Sequence, residues 1–522
     1  MTMGATLPST FWALMVEAAM ERPEAPVVSD DHGRSLTRAQ LRDAAETTAA
    51  ALSARGIRTG TVVSWQLPTT IEAVVLLVAL TRIGAVQNPL IPILREREVS
   101  FITEQVGTEL LVVPEEWRGF QHGAMARELA RTGGFEVMEI DLSELGAPGS
   151  REELRLPAAD TDTLAPPPSP DGPRWIYFSS GTTADPKGAR HTDASIMASA
   201  NALLELMGLG EKDVYPIPWP LTHIGGASVL AASLRGGVHL VLFDTFDPAT
   251  TPGRMAQYEP TVLGTAVPFF RAYLDAARAA GDQPLFPSLR FGCFGGAPVP
   301  TEIHDEMRSM FDVPLVGSWG LTEFPNATSA APTDATEIVS TSVGRPASGV
   351  SVRAVDPGGN VCGPGQEGEL QLRGPQSFSG YVDATLDEDS IDAGGWFHTG
   401  DLGTIDAAGN VRITGRVKDI IIRNAENISV VEVEEMLYRH PGVADAAVFG
   451  LPDPRTGERV VAVVVLRDGR EVGLTDIREH CRLQGLAVQK CPEQLEVVDA
   501  LPRNAMGKVL KQELRSRLTS PR

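Results

Sequence analysis

The sequence predicts an α/β protein: a large N-terminal domain of layered α/β sheets with a β-rich subdomain, followed by a small α+β C-terminal domain. Three observations predict it. A strand–helix–strand rhythm runs through residues 60–114, the pattern of a parallel sheet covered by helices. Between 340 and 415 the texture changes to short strands and Gly-rich turns. From 416 onward helices and strands alternate again, over a stretch long enough for its own core. At 522 residues the chain is too long for one ordinary core, and the division falls at 1–415 and 416–522.

The elements follow in order. "MTMGATLPSTFWALMVEAAMERPE" reads as a first helix: no basic region precedes its apolar run and Glu17 interrupts it, so it is a poor signal peptide. "SLTRAQLRDAAETTAAALSARGI" has apolar residues at helical spacing and stops near Gly56. "TVVSWQL" is a strand, 71–83 an apolar helix, and "ELLVVP" at 109–114 a buried strand. Glu72 and Arg82 leave too short an uncharged run for the ~20 residues of a membrane span, so the helix between them belongs in a core. "LAPPPSPDGP" at 164–173 is a Pro-rich surface connector. "RWIYF" follows as a strand. Farther on, "DPGG" and "DAAGN" read as hairpin turns. In the C-terminal part, "VVEVEEMLYRHPGV" is a helix, "VADAAVFGLP" and "RVVAVVVL" are strands, and a helix at 474–484 precedes the strand "LEVVD".

Lys plus Arg number 45 and Asp plus Glu 67, a formal charge of -22, which argues against non-specific binding of nucleic acid or anionic lipid. Anionic ligands must be met by local cations or backbone N–H groups. The four cysteines, Cys293, Cys362, Cys481 and Cys491, form no Cys-x-x-Cys pair, and a reducing cytoplasm suits them.

The stretch densest in chemistry is "YFSSGTTADPKGARHT", Tyr177–Thr192. Its register fails the common P-loop, with Pro186 in place of the second Gly and Gly188 in place of Ser/Thr. What remains is a run of hydroxyls, Ser179, Ser180, Thr182 and Thr183, around Gly181, with Lys187 as a point charge. Such a loop suits oxyanions.

"SSGTTADPKG" resembles the signature loop of the adenylate-forming superfamily, which holds acyl-CoA synthetases, peptide adenylation domains and luciferases. Six further stretches match the superfamily's motifs in its order and extend the resemblance over most of the chain. "PWPLTHIGG" is similar to the segment bordering the acyl pocket, for which the candidates are Trp219, His223, Phe269, Phe270, Trp319, Gly320 and the 295–297 turn. "GCFGGAPVP" matches the adenine turn at Gly295, Gly296 and Ala297. "GSWGLTE" implies Trp319 beside the adenine, Thr322 at the α-phosphate and Glu323 on Mg²⁺. "WFHTGDLG" supplies Asp401 for the ribose hydroxyls. "ITGRVKD" supplies Arg416 as a second ribose or phosphate contact and Lys418 as the hinge of a mobile C-terminal domain. "LPRNAMGKVLKQEL" supplies Lys508 as the catalytic lysine. Asn424, Ala425 and Glu426 fall on the side where CoA enters.

The implied activity is an ATP- and Mg²⁺-dependent acyl-CoA ligase for a cyclic, aromatic or medium-chain acid, with CoA as co-substrate. Two other readings stay open on sequence: an acyl-AMP ligase that loads a carrier protein, and a non-catalytic nucleotide- or acyl-binding protein. The chain departs from the family pattern at Ala184, Asn424-Ala425 and Val430, the first three where Gly is usual and the last where Pro is usual. The carboxylic acid itself is not legible, and a homo-oligomer is left open.

Overall fold

The computed structural model describes residues 8–519 apart from 144, 146–153, 170, 180–185, 297–298, 424–425, 468 and 505–506. Its strands form five sheets. In the largest, six strands run in the order Glu136–Ile140, Leu110–Pro114, Val62–Trp65, Val86–Pro89, Trp175–Ser179 and Lys187–His191. All neighbours are parallel except the last pair. A four-stranded sheet orders Ser35–Thr37, Pro26–Asp30, His239–Leu242 and Val214–Ile217. A five-stranded sheet begins with three parallel strands, Val262–Thr265, Phe291–Phe294 and Leu315–Trp319. The strand–helix–strand rhythm therefore did mean parallel sheets, because a crossover helix returns the chain to the same edge.

The helices between these sheets are set by local chemistry. Thr10 caps the helix Phe11–Glu21 by accepting from the N–H of Ala13. Thr37 and Gln40 form a reciprocal capping box at the start of Arg38–Ala54. Every residue of Ile71–Ile83 is buried, as its all-round apolar sequence required. Glu72 is 0% exposed within it, and the Arg34 guanidinium binds both its oxygens at 2.6 and 3.0 Å. Arg82 reaches the carbonyl of Ala165 at 2.9 Å, which ties the Pro-rich connector to this helix.

The β-rich region is an antiparallel sheet of Ser351–Val355, Gly368–Arg373, Phe397–Ile405 and Val411–Arg416. Its two expected turns are held by aspartates: Asp356 Oδ1 accepts from the N–H groups of Gly358 and Asn360, and Asp406 Oδ1 from those of Ala408 and Asn410. The short 3₁₀ turn Val417–Asp419 then leads into a sheet of Glu426–Ser429, Ile420–Arg423, Gly457–Leu466 and Val443–Asp453, with Gln494–Val497 added on. One face of that sheet buries Val433, Leu437, Val448, Ile477 and Cys481, and the other buries Phe449, Val461 and Leu514. All four cysteines are free. Among the described residues no helix is long and apolar enough to cross a membrane.

Candidate active site

Three neighbouring parallel strands, Val262–Thr265, Phe291–Phe294 and Leu315–Trp319, end side by side. Ligands of open α/β sheets bind outside the carboxyl ends of such strands. Here those ends deliver Ala266–Pro268, Gly295–Gly296 and Trp319–Gly320. Gly296 has φ +79°, a turn that a side chain would strain. A Cβ on Gly295 would stand 3.4 Å from the Ser318 carbonyl, so the turn lies close over the next strand. Gly320 is tighter still: a Cβ would lie 2.4 Å from the Asn326 N–H. Ala297 lies outside the described residues.

Trp319 and Asp401 meet although 82 residues separate them. The indole N–H donates to Asp401 Oδ2 at 2.8 Å. Arg416 Nε donates to the other oxygen, Oδ1, at 2.7 Å, because Asp401 and Arg416 face each other across adjacent antiparallel strands. Asp401 is 3% exposed, and each of its oxygens keeps further acceptor capacity. Glu323 is buried and accepts from the Tyr381 hydroxyl at 2.7 Å through Oε1. Burial first, and then Glu323, pushes the Tyr381 hydroxyl pKa well above its usual range, so Tyr381 stays a donor.

The strands Trp175–Ser179 and Lys187–His191 form a hairpin with Ser179 opposite Lys187. Ser180, Gly181, Thr182 and Thr183 at its tip lie outside the described residues, as does Ala184. Lys187 places its ammonium 5.3 Å from the centroid of the Tyr381 ring, and Ala189 bridges to the backbone of the same Tyr. Tyr381 thus links the hairpin to Glu323. His191 makes a second link: its Nε2 donates to the Thr322 carbonyl at 2.8 Å while Nδ1 meets Ser195 Oγ at 3.0 Å. Burial lowers the His191 pKa to about 4, so it serves as a neutral tether. Sequence reasoning missed both. His191 lies within Tyr177–Thr192, where residue type alone gives no sign of a distant tether, and nothing in the periodicity around Tyr381 marks it.

On the acyl side, Trp219 and His223 sit together. A Cβ on Gly225 would meet the Trp219 ring at 3.5 Å and His223 Nδ1 at 3.2 Å. His223 caps the helix Ile224–Gly236 by accepting from the Gly225 N–H through Nδ1, which leaves the proton on Nε2. Burial lowers its pKa to about 4. Thr69 clasps this segment, donating to the Trp219 carbonyl at 2.8 Å and accepting from the Leu221 N–H at 3.0 Å. Phe269 packs on Phe246, with ring centroids 4.5 Å apart. Phe270 is 0% exposed and packs edge-on against Tyr273 in the core.

From the C-terminal domain comes the loop 503–509, closed by a backbone bridge between Arg503 and Val509. Asn504 Oδ1 accepts from the Lys508 N–H at 2.9 Å, and Arg503 anchors the loop on Asp445 at 2.6 Å. Gly507 rests on Ala266 and Pro268, since a Cβ there would lie 3.1 and 3.5 Å from them. Arg271 adds a hydrogen bond to the Ala444 carbonyl at 2.9 Å. The Lys508 pKa is lowered to about 8, chiefly by burial and then by Arg416, while Asp419 and Asp401 oppose the fall. Lys508 therefore stands in the same charged cluster as Asp401 and Arg416. The Lys418 and Glu426 side chains, and Asn424 and Ala425 entirely, lie outside what is described. Val430 opens the helix Val430–Tyr438 behind its cap Ser429, a position that accepts Pro or Val alike.

A family model described as "AMP-binding enzyme" matches residues 15–382, and one described as "AMP-binding enzyme C-terminal domain" matches 432–508. The chain is 32% identical to the medium-chain fatty-acid–CoA ligase of Escherichia coli over 514 residues, covering 96% of this chain and 90% of that one. The structure resembles ATP-bound MatB from Rhodopseudomonas palustris with a TM-score of 0.84 at 26% identity, covering 98% and 99% of the two chains. It also resembles o-succinylbenzoate CoA synthetase from Bacillus subtilis in complex with its acyl-adenylate intermediate, with a TM-score of 0.80 at 28% identity and 98% of each chain covered. This chain belongs to the AMP-binding enzyme family, as an adenylate-forming acid–CoA ligase that uses ATP and CoA.

Proposed function

We propose that the chain activates a monocarboxylic acid with an apolar tail, of medium-chain, cyclic or aromatic type, in the cytoplasm. In the first half-reaction a carboxylate oxygen attacks the α-phosphorus of ATP, and the bond to pyrophosphate breaks. In the second, the CoA thiol attacks the acyl carbonyl and AMP leaves. The observation that carries this reading is the Trp319–Asp401–Arg416 constellation with the Lys508 loop seated beside it, Gly507 resting on Ala266 and Pro268.

Two anions must be brought together, so cationic and donor groups have to cancel the repulsion as charge moves. Lys508 orients the carboxylate against the α-phosphate. Asp401 accepts from the ribose hydroxyls with the capacity that Trp319 and Arg416 leave. The hairpin 179–187 and Lys187 hold the departing pyrophosphate. Thr322 sits at the α-phosphate. Glu323, whose Oε1 is taken by Tyr381, would hold Mg²⁺ through its other oxygen, since a lone carboxylate suits an ion that otherwise keeps water and phosphate ligands. When bound, Mg²⁺ supplies charge neutralisation to the polyphosphate.

The preference for an apolar tail rests on His223 and Trp219. With a pKa near 4, His223 is uncharged at neutral pH and offers no cation to a second carboxylate. Pyrophosphate release with a panel of acids, with and without CoA, tests the function. Hexanoate, cyclohexanecarboxylate or benzoate should release pyrophosphate and give a thioester. Silence with every acid would overturn the enzymatic reading. Pyrophosphate without thioester would replace CoA by a carrier-bound thiol as the acceptor. Preference for a dicarboxylate would overturn the tail assignment.

A further inference from the structure

We propose that Asp31, His32 and Asp244 form a binding site for a divalent first-row metal ion of the Zn²⁺ type that locks two strand ends together. The strands Pro26–Asp30 and His239–Leu242 are parallel neighbours, with Asp30 opposite Leu242. Asp31 and His32 follow the first and Asp244 follows the second, so all three side chains leave from the carboxyl ends of adjacent strands. The backbone is pinned there, since the Asp31 N–H donates to the Leu242 carbonyl at 3.2 Å.

Three features point to an ion. His32 Nε2 lies 3.6 Å from Asp31 Oδ1 and 3.6 Å from Asp244 Oδ2, and the three donor atoms lie within 4.8 Å of one another. That spacing is too long for hydrogen bonds. It is close to the edge of a tetrahedron whose donors stand about 2.1 Å from the ion, roughly 3.4 Å. Second, Asp31 Oδ1 and His32 Nε2 are buried atoms with no hydrogen-bond partner, and the Asp31 side chain is 1% exposed. Buried polar atoms without partners are costly, and both of these aim at the same point. Third, the local charge is unbalanced. Arg34 pairs with Asp30 and Glu72, and Arg254 with the other oxygen of Asp31. Four carboxylates, Asp30, Asp31, Glu72 and Asp244, thus face two guanidinium groups, leaving two negative charges. Asp244 first, and then Asp31, raise the His32 pKa against burial, so without an ion a protonated imidazole meets part of this charge; a divalent ion that displaces that proton cancels both negative charges.

One imidazole and two carboxylates suit Zn²⁺, with Mn²⁺ and Fe²⁺ binding less tightly. Three protein ligands leave a position for water. Asp244 also lines a cleft of about 370 Å³ with Pro68, Glu116 and Arg118.

The test uses the full chain, stripped with a chelator and free of nucleotide so that the polyphosphate metal plays no part. Zn²⁺ titrated by calorimetry should bind at one equivalent per chain and raise the melting temperature. Loss of a partner behind a ligand already costs roughly 10–100-fold in affinity, so His32→Gln and Asp244→Asn should each cost about 100-fold or more. Both variants should keep their pyrophosphate-release rate with Mg²⁺ present. Should either fail to fold, Co²⁺ bound to the wild-type chain decides. Visible absorption without a thiolate charge-transfer band supports the site, and a thiolate band assigns the ion to a cysteine instead. Absence of saturable binding, or unchanged binding in both variants, overturns the proposal.

Discussion

Lys508 carries one charge, and its surroundings decide when it carries it. Burial disfavours the ammonium, so its pKa falls from 10.5 to about 8. The proton is lost as pH rises through 8, and a neutral amine no longer attracts the phosphate. The rate of pyrophosphate release should therefore fall above pH 8 in the wild type, and Lys508→Arg should move that fall to higher pH. The same shift means that the folded chain binds fewer protons than the unfolded one between about 8 and 10.5, so the stability cost of this buried cation is relieved as pH rises through that window. Lys508→Ala should slow pyrophosphate release by about 10²–10³-fold, the usual cost of one transition-state donor. Thioester formation from a supplied acyl-adenylate should change little. Tyr381 works through Glu323. Tyr381→Phe leaves a buried carboxylate oxygen without its donor, a loss of about 1–3 kcal/mol. Its signature is a raised KM for ATP–Mg²⁺ with a smaller change for the acid.

Among the elements, the helix Ile71–Ile83 shows how a polar pair can sit in an apolar core. Glu72 is tolerated at 0% exposure because Arg34 meets both of its oxygens. Arg34→Met leaves that charge buried and unpaired, and should cost about 3–5 kcal/mol in urea unfolding. The double change Arg34→Met with Glu72→Leu should recover only part of it, since Glu72 no longer needs a partner but the buried Asp30 carboxylate still loses Arg34. The hairpin of Trp175–Ser179 and Lys187–His191 was legible as a strand followed by a polar loop. Its two fastenings were not: His191 reaches Thr322 across 131 residues, and Ala189 and Lys187 reach Tyr381 across about 190. Local patterning reports burial, and it is silent on which distant backbone a buried imidazole will meet.

At the scale of the molecule, the C-terminal domain is seated with Gly507 on Ala266 and Pro268 and with Arg271 bonded to the Ala444 carbonyl. This arrangement presents Lys508 to the cluster of Asp401 and Arg416. Arg271→Ala should loosen the seat. Pyrophosphate release should slow several-fold, while thioester formation from added acyl-adenylate should be unaffected. A loss of both half-reactions would instead mean that Arg271 matters to the fold.

The sequence by itself determined the layered α/β architecture, because the alternation of apolar strands and helices admits a parallel sheet and little else. It also offered the chemistry in two steps: hydroxyls around Gly181 with Lys187 suit an oxyanion, and the resemblance of the ordered motifs to the adenylate-forming superfamily implies that this anion belongs to ATP. Only the tertiary structure decided which of these residues meet. Trp319 with Asp401, Tyr381 with Glu323 and Gly507 with Ala266 are contacts between segments far apart in the chain, set by sheet register and domain seating. It also decided the charge states. Depth of burial and neighbouring charges move Lys508 toward neutrality and keep His191 and His223 neutral, and neither depth nor neighbourhood is written in the order of residues.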